Sequence, residues 1–184
     1  MSLMIQNFIL FQAGWFSCVI GGANQGYAWF GVAAVIAIIG VHLARAIDIS
    51  NELMLILITM VLGTAWDSAL ILAGLLSFDN GTFITGLPPY WLIAMWALFA
   101  TTLNVSMNWL KHKYLIAAVI GAVGGPIAYY AGHRLGAVGF DETSATLLAV
   151  GAGWAVMMPV LMALAEVFNG YRTIRADLNE AKPS

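Results

Sequence analysis

One apolar run with polar side chains inside it decides the fold: WALFATTLNVSMNWL, Trp96–Leu110. It belongs to a segment long enough to cross a bilayer, which takes about 20 predominantly apolar residues. At about 100° per residue, its polar side chains fall on two seams of a helix. The first seam carries Thr101, Asn104 and Asn108, and the second carries Thr102 and Ser106. Two interpretations are open: interhelical hydrogen bonds worth about 0.6 kcal/mol each, or the wall of a polar pocket.

The composition around this run indicates a helical membrane protein. The 184 residues are 61% hydrophobic and 9% charged, with a mean hydropathy of +0.88. A soluble domain of this size does not need so much apolar surface, so we expect a polytopic protein in a lipid bilayer. The net charge of −2 gives no reason to expect a nucleic-acid partner. Cys18 is the single cysteine, which excludes an internal disulfide and a multi-cysteine metal site.

Six apolar runs predict an all-α bundle of six transmembrane helices. The predicted spans are residues 5–23, 27–44, 53–77, 90–110, 114–132 and 147–168. Because the linkers are short, consecutive helices should be antiparallel neighbours. We expect one transmembrane domain over residues 1–168, followed by a short cytoplasmic tail over residues 169–184.

The distribution of basic residues predicts that both termini are cytoplasmic. With that orientation, the outer side carries only Arg134. The cytoplasmic side then carries Arg45, Lys111, Lys113, Arg172, Arg175 and Lys182. This asymmetry follows the rule that cytoplasmic loops are enriched in Lys and Arg.

Asp67 is the one acidic residue that the predicted spans place well inside the membrane. Inserting a charged residue near the centre of a helix costs about 2.5–3.5 kcal/mol. Such a residue normally faces the bundle interior and is a candidate functional residue. We predict a polar cavity walled by Gln12, Asp67, Thr101, Asn104 and Tyr129. The alternative for Asp67 is a buried acid that only fixes packing.

Small residues predict close helix packing in the first and fifth spans. Gly14 begins an i, i+4, i+8 series in span one, and Gly121 and Gly125 lie on one face of span five. Such faces let another backbone approach closely. Pro126 leaves the carbonyl of Ala122 without its helical donor. We expect spans one and five to pack small face to small face.

Motifs of known catalytic chemistry are missing from the sequence. There is no phosphate-binding glycine loop, no H-E-x-x-H and no G-x-S-x-G. His42 is the only histidine in the six predicted spans, which argues against a bis-histidine haem site. We therefore expect no catalytic residue, no metal and no cofactor, and an enzyme is the least favoured class.

Four stretches together resemble a known family. They are N-F-x-x-F-Q-x-G-W-F at Asn7–Phe16, G-T-x-x-D-S at Gly63–Ser68, P-x-W-L-x-x-x-W-x-x-F-A-x-T-L-N-x-S-x-x-W-L at Pro89–Leu110, and G-x-x-G-G-P-x-A-Y-x-x-G-x-x-L-G-A at Gly121–Ala137. This pattern resembles the bacterial inner-membrane family catalogued as domain of unknown function 2878. The resemblance implies a multi-pass protein of the bacterial inner membrane and brings no activity with it.

Two hypotheses about function follow. The first is a small transporter or lipid-handling protein with a polar intramembrane cavity, whose substrate is a small molecule or a lipid. The second is a structural or accessory subunit that packs against a membrane-protein partner, such as a lipid-modifying enzyme, through its glycine faces. Polar residues around a closed cavity within the chain would favour the first, and outward-facing, unfilled glycine faces would favour the second.

Overall fold

The computed structural model describes residues 2–171, which form six α-helices and two very short strands. The helices are α1 (Leu3–Ala23), α2 (Ala28–Leu43), α3 (Ile49–Leu72), α4 (Tyr90–Leu103), α5 (Tyr114–Arg134) and α6 (Thr143–Val167). The strands are β1 (Leu76–Ser77) and β2 (Gly139–Phe140), which pair antiparallel. Arg172, Arg175, Lys182 and most of the predicted tail lie outside the described residues.

The prediction of an all-α chain with six helices is confirmed. Helices α1, α3, α5 and α6 are long and apolar enough to cross a membrane, so the chain is a multi-pass membrane protein. Helices α2 and α4 are apolar but shorter, with 16 and 14 residues. At 1.5 Å per residue they measure about 24 and 21 Å, against a hydrocarbon core of about 30 Å.

Local signals set the ends of α3, which differ from the predicted span 53–77. The helix begins at Ile49 because Asp48 caps it, with Asp48 Oδ1 accepting from Asn51 N at 3.1 Å. It ends at Leu72, and Gly74 then adopts φ +72, a left-handed conformation that glycine favours. The chain then continues into β1, which lies at the end of the predicted span 53–77.

The predicted span 90–110 is wrong at its C-terminal end. Helix α4 ends at Leu103, and Asn108–Leu110 forms a separate 3₁₀ turn. Val105 N and Met107 N both donate to Thr102 O, at 3.2 and 2.8 Å, which closes a tight turn instead of a further helical turn. Asn108 is therefore not on α4, and the two polar seams do not continue past Asn104.

Helix α4 is the centre of a four-helix body, and α5 and α6 form a hairpin beside it. Ten of the 14 residues of α4 are buried, because α1, α2 and α3 all pack against it. Helix α5 packs extensively against α6. We call the end of the molecule that carries β1 and β2 the strand end, and the opposite end, where Glu52 is buried, the Glu52 end.

The prediction that spans one and five pack small face to small face is wrong. A Cβ placed on Gly14 of α1 would lie 2.7 Å from Leu98 Cδ2 of α4 and 2.9 Å from Ile38 Cδ1 of α2. Gly121 and Gly125 of α5 instead face Trp154 and other residues of α6. Each glycine face is used, but a large side chain from a different helix fills it.

Candidate functional site

An apolar cleft separates the four-helix body from the α5–α6 hairpin. Its volume is about 230 Å³, and its walls come from α1 and α4 on one side and from α5 and α6 on the other. Among residues 2–171, no Asp, Glu, Lys, Arg or His side chain lines it. The aromatic residues of its walls are Phe11, Trp15, Trp91, Trp96, Phe99, Tyr129 and Trp154. Its lining is thus chemically similar to the hydrocarbon interior of a bilayer.

Gly124 marks an accessible part of this cleft. It lines the cleft from α5, is exposed, and a Cβ built on it meets no atom within 4 Å. Across the cleft, Phe11 and Trp15 of α1 are half-buried. Exposed apolar side chains flank these positions, among them Phe16 on α1 and Val123 on α5. The cleft therefore opens onto the lipid-facing surface of the molecule.

A buried carboxylate, Asp67, lies behind the aromatic wall. It has no exposed surface, and it accepts hydrogen bonds from side chains of two other helices. Trp96 Nε1 of α4 donates to Asp67 Oδ2 at 2.7 Å, and the Tyr129 hydroxyl of α5 donates to Asp67 Oδ1. Both oxygens thus have a donor, as a buried carboxyl group requires. The arrangement links the body to the hairpin through a single acidic side chain.

Glycines on α3 and α5 make room for the aromatic wall. Gly63 lies directly against the indole of Trp96, and a Cβ there would overlap the ring. Gly125 lies against Trp154 in the same way, with a built Cβ 2.6 Å from Trp154 Cδ1. The two indoles stack, with ring centroids 5.0 Å apart and planes 16° apart. In the G-T-x-x-D-S stretch, Gly63 leaves space for the Trp96 indole and Asp67 accepts the hydrogen bond from its N–H.

A second buried carboxylate, Glu52, lies in the first turn of α3, the helix that also carries Asp67. It has no exposed surface either. Its Oε1 accepts from Asn104 Nδ2 at 2.6 Å and from Gly170 N at 2.8 Å. Its Oε2 lies 2.7 Å from His42 Nε2. Glu52 therefore connects α2, α3, α4 and the segment that follows α6.

Further polar contacts extend the cluster around Glu52. Lys111 Nζ donates to Asn104 Oδ1 at 2.7 Å, and Asn104 Nδ2 also reaches Phe168 O at 2.9 Å. The Tyr171 hydroxyl donates to His42 O at 2.7 Å. Burial raises the pKa of Tyr171 to about 12; the charge of Glu52 adds to the shift and that of Arg45 opposes it. These contacts fasten the end of α6 to the body.

The residues predicted to wall one polar cavity lie in different places. Asp67 and Tyr129 are joined by a hydrogen bond, and Tyr129 also lines the apolar cleft. Asn104 belongs to the Glu52 cluster. Thr101 is buried, its hydroxyl donates to Leu98 O of its own helix, and its carbonyl accepts from Asn7 Nδ2 at 3.0 Å. Gln12 is half-buried on α1 and is not among the cleft-lining residues.

The predicted site residues did not include four that form the buried polar contacts and the aromatic wall: Glu52, His42, Trp96 and Trp154. Glu52 falls just outside the predicted span 53–77, and His42, near the end of the predicted span 27–44, is only 5% exposed. Both lie at helix ends, where hydropathy does not distinguish a buried charge from a solvated one. Their ten-residue spacing across a tight α2–α3 connection was the signal available. Among the described residues, no group of three or more potential metal ligands is present.

A family model described as "Protein of unknown function (DUF2878)" matches residues 4–160. This confirms the resemblance drawn from the four sequence stretches. No curated protein and no solved structure shows significant similarity to the chain.

Proposed function

The chain belongs to the DUF2878 family, and we propose that it is a lipid-handling membrane protein whose cleft takes one hydrocarbon chain from the bilayer. The observation that carries this proposal is the lining of the cleft, which is mainly apolar and aromatic and, in the part of the chain that the structure describes, includes no charged side chain. A polar or ionic solute placed there would lose its hydration without gaining partners, which is costly. A hydrocarbon chain has no hydration to lose in the same transfer.

The size and position of the cleft support a single chain as the ligand. About 230 Å³ corresponds to about eight groups of the size of water, each taking about 30 Å³ in a liquid. That space suits a segment of one acyl or isoprenoid chain rather than a whole two-chain lipid. Because the cleft opens onto the lipid-facing surface at Gly124, a chain can enter sideways while its headgroup stays outside.

A binding measurement with a matched pair of variants tests this proposal. Cis-parinaric acid, a fluorescent polyene fatty acid, accepts excitation energy from tryptophan, and Trp96 and Trp154 line the cleft. We expect saturable energy transfer that excess oleate abolishes. Gly124→Phe should remove it by filling the cleft, whereas Gly40→Phe on α2, another exposed glycine with open space, should not. Equal binding by both variants would refute the cleft as the binding site.

The accessory-subunit hypothesis has less support. It required glycine faces that no part of this chain fills. Gly14 instead meets Leu98 and Ile38, and Gly125 meets Trp154, all within the chain. These faces do not supply a surface for a partner, so we favour lipid handling.

We propose further that all six helices cross a bacterial inner membrane, with both termini cytoplasmic and one domain over residues 1–168. The basic residues Arg45, Lys111 and Lys113 all lie in connections at the Glu52 end, and Arg134 lies at the strand end, which supports this orientation. Folded segments that flank α2 and α4 would complete the crossing of these short helices. Reporter fusions at Asp79 should report the periplasm, and those at Lys113 the cytoplasm. The reverse pattern would contradict this topology.

A further inference from the structure

We propose that α5 is a lateral door to the cleft, that it turns on α6 as its hinge, and that the Tyr129–Asp67 hydrogen bond is its latch. This inference rests on the proposed function, because it describes how a hydrocarbon chain would enter the same cleft. It goes beyond that function by assigning a gating role to two buried residues that do not need to touch the ligand's polar group.

The hinge is the close contact between α5 and α6. A Cβ on Gly121 would lie 2.7 Å from Met158 Cγ, and Gly125 lies against the indole of Trp154. From the other side, a Cβ on Gly151 of α6 would lie 3.1 Å from Ala122 O, the carbonyl that Pro126 leaves without its helical donor. Because glycines let the two helices approach so closely, we take this line of contact, where Met158 and Trp154 pack against α5, as the axis about which α5 rotates.

The body holds α6 in place along its whole length. At the strand end, Thr146 Oγ1 donates to Leu75 O at 3.0 Å. In the middle, Trp154 stacks on Trp96. At the Glu52 end, Gly170 N, just after the helix, donates to Glu52. These three attachments make α6 the fixed element about which α5 can move.

By contrast, α5 is fastened to the body at one polar point. In the described part of the chain, the other side-chain hydrogen bonds recorded for α5 stay within the hairpin. Tyr114 OH donates to Glu166 Oε2 of α6 at 2.9 Å, and His133 Nδ1 lies 2.9 Å from Val138 O. Tyr129 alone reaches across to α3, where its hydroxyl donates to Asp67. Rotation of α5 away from α1 and α4 must therefore break this bond.

Opening in this way would widen the route from the cleft to the bilayer. Gly124 and Tyr129 both line the cleft from α5, so rotation of α5 would widen it where it already reaches the lipid-facing surface. The lipid-facing side of α5 carries exposed apolar side chains, including Val119, Val123 and Ile127, which stay in hydrocarbon when the helix moves. The Tyr129–Asp67 bond sets the fraction of time that the door is open.

The first test measures how fast a bound chain leaves. Release of cis-parinaric acid into excess oleate is followed for the wild type, Tyr129→Phe and Tyr130→Phe. Tyr129→Phe keeps the ring in the cleft wall but cannot donate to Asp67, whereas Tyr130 is the neighbouring, exposed tyrosine. We expect release about tenfold faster in Tyr129→Phe, as expected from loss of one hydrogen bond to a carboxylate, and unchanged in Tyr130→Phe. Equal release rates in all three proteins would overturn the latch.

The second test needs no ligand, so it separates failure of the door from failure of the proposed function. Leu92 lines the cleft from α4 and is 6% exposed. In a Cys18→Ala background, the thiol of Leu92→Cys should react about tenfold faster with a bilayer-soluble maleimide when Tyr129→Phe is added, for the same reason. The Tyr130→Phe background should leave the rate unchanged. Equal rates in both backgrounds would overturn the door, whereas absence of fatty-acid binding with a faster thiol reaction would reject only the lipid ligand.

Discussion

Gly63→Ala tests whether the aromatic wall and Asp67 form one unit. The new methyl group would overlap the indole of Trp96, so the ring must move away from α3. Overpacking of this kind costs about 1–3 kcal/mol. Displacing the ring also breaks the 2.7 Å bond from Trp96 Nε1 to Asp67 Oδ2, and a hydrogen bond to a charged group is worth about 1.5–3 kcal/mol. The free energy of unfolding should therefore fall by about 2.5–6 kcal/mol.

Gly40→Ala is the matched control for this measurement. Gly40 is also inside a helix, but a Cβ there meets no atom within 4 Å. Alanine should stabilise that helix by about 0.5–1 kcal/mol, because it has less backbone entropy to lose than glycine. Unfolding is followed by titrating mixed micelles with sodium dodecyl sulfate, using helical circular dichroism as the signal. If the free energies of unfolding of the two variants differ by less than about 1 kcal/mol, Trp96 does not pack against Gly63 as described.

Three further predictions concern the buried carboxylates and the tyrosine near Glu52. Asp67→Leu should lower the free energy of unfolding by about 2–6 kcal/mol, because two buried donors lose their acceptor. Asp67→Asn should cost clearly less in the same titration, since the amide oxygen can still accept, and equal losses would contradict this. Glu52→Ala should cost about 3–5 kcal/mol by leaving Gly170 N and its other partners unpaired; a loss below about 1 kcal/mol would mean that the cluster does not fasten α6. Folding raises the pKa of Tyr171 from its usual value of 10 to about 12, so the folded state holds the phenol proton more tightly than the unfolded state does. The resulting contribution to stability is fully present below pH 10 and is lost as the pH rises to 12. Tyr171→Phe should lose less stability than the wild type over that interval, and identical pH profiles would show that Tyr171 does not contribute.

The helices of the fold could be predicted from the sequence because long apolar runs separated by short polar connections admit few other structures. The position of Asp67 was also informative: an acid within a span must be shielded and paired, and it is fully buried. The glycine stretches predicted faces that another backbone approaches, and in the structure Gly14 and Gly125 instead lie against large side chains. They could not indicate which helix approaches, since Gly125 accommodates an indole from α6 as readily as it would a backbone from α1.

The features that the sequence did not predict depend on contacts between distant residues. Helix α4 ends at Leu103, and the side chain of Asn104 is held by Glu52 and by Phe168 O, which lie 52 and 64 positions away. Glu52 itself fell just outside the predicted span 53–77, although it is fully buried. The apolar character of the cleft arises from several helices together, so the polar residues of α4 alone were a poor guide to it.

Photolabelling with a diazirine-bearing fatty acid, read out residue by residue by mass spectrometry, tests the central claim most directly. Met95, Met107 and Met158 line the cleft, whereas Leu57 and Val61 are exposed on α3 outside it. If the cleft binds one hydrocarbon chain, labelling at the three methionines should saturate and should be displaced by excess oleate. Labelling at Leu57 and Val61 should instead rise in proportion to the concentration of the probe. Labelling that is non-saturable everywhere, or stronger at Leu57 and Val61 than at the methionines, would contradict the account.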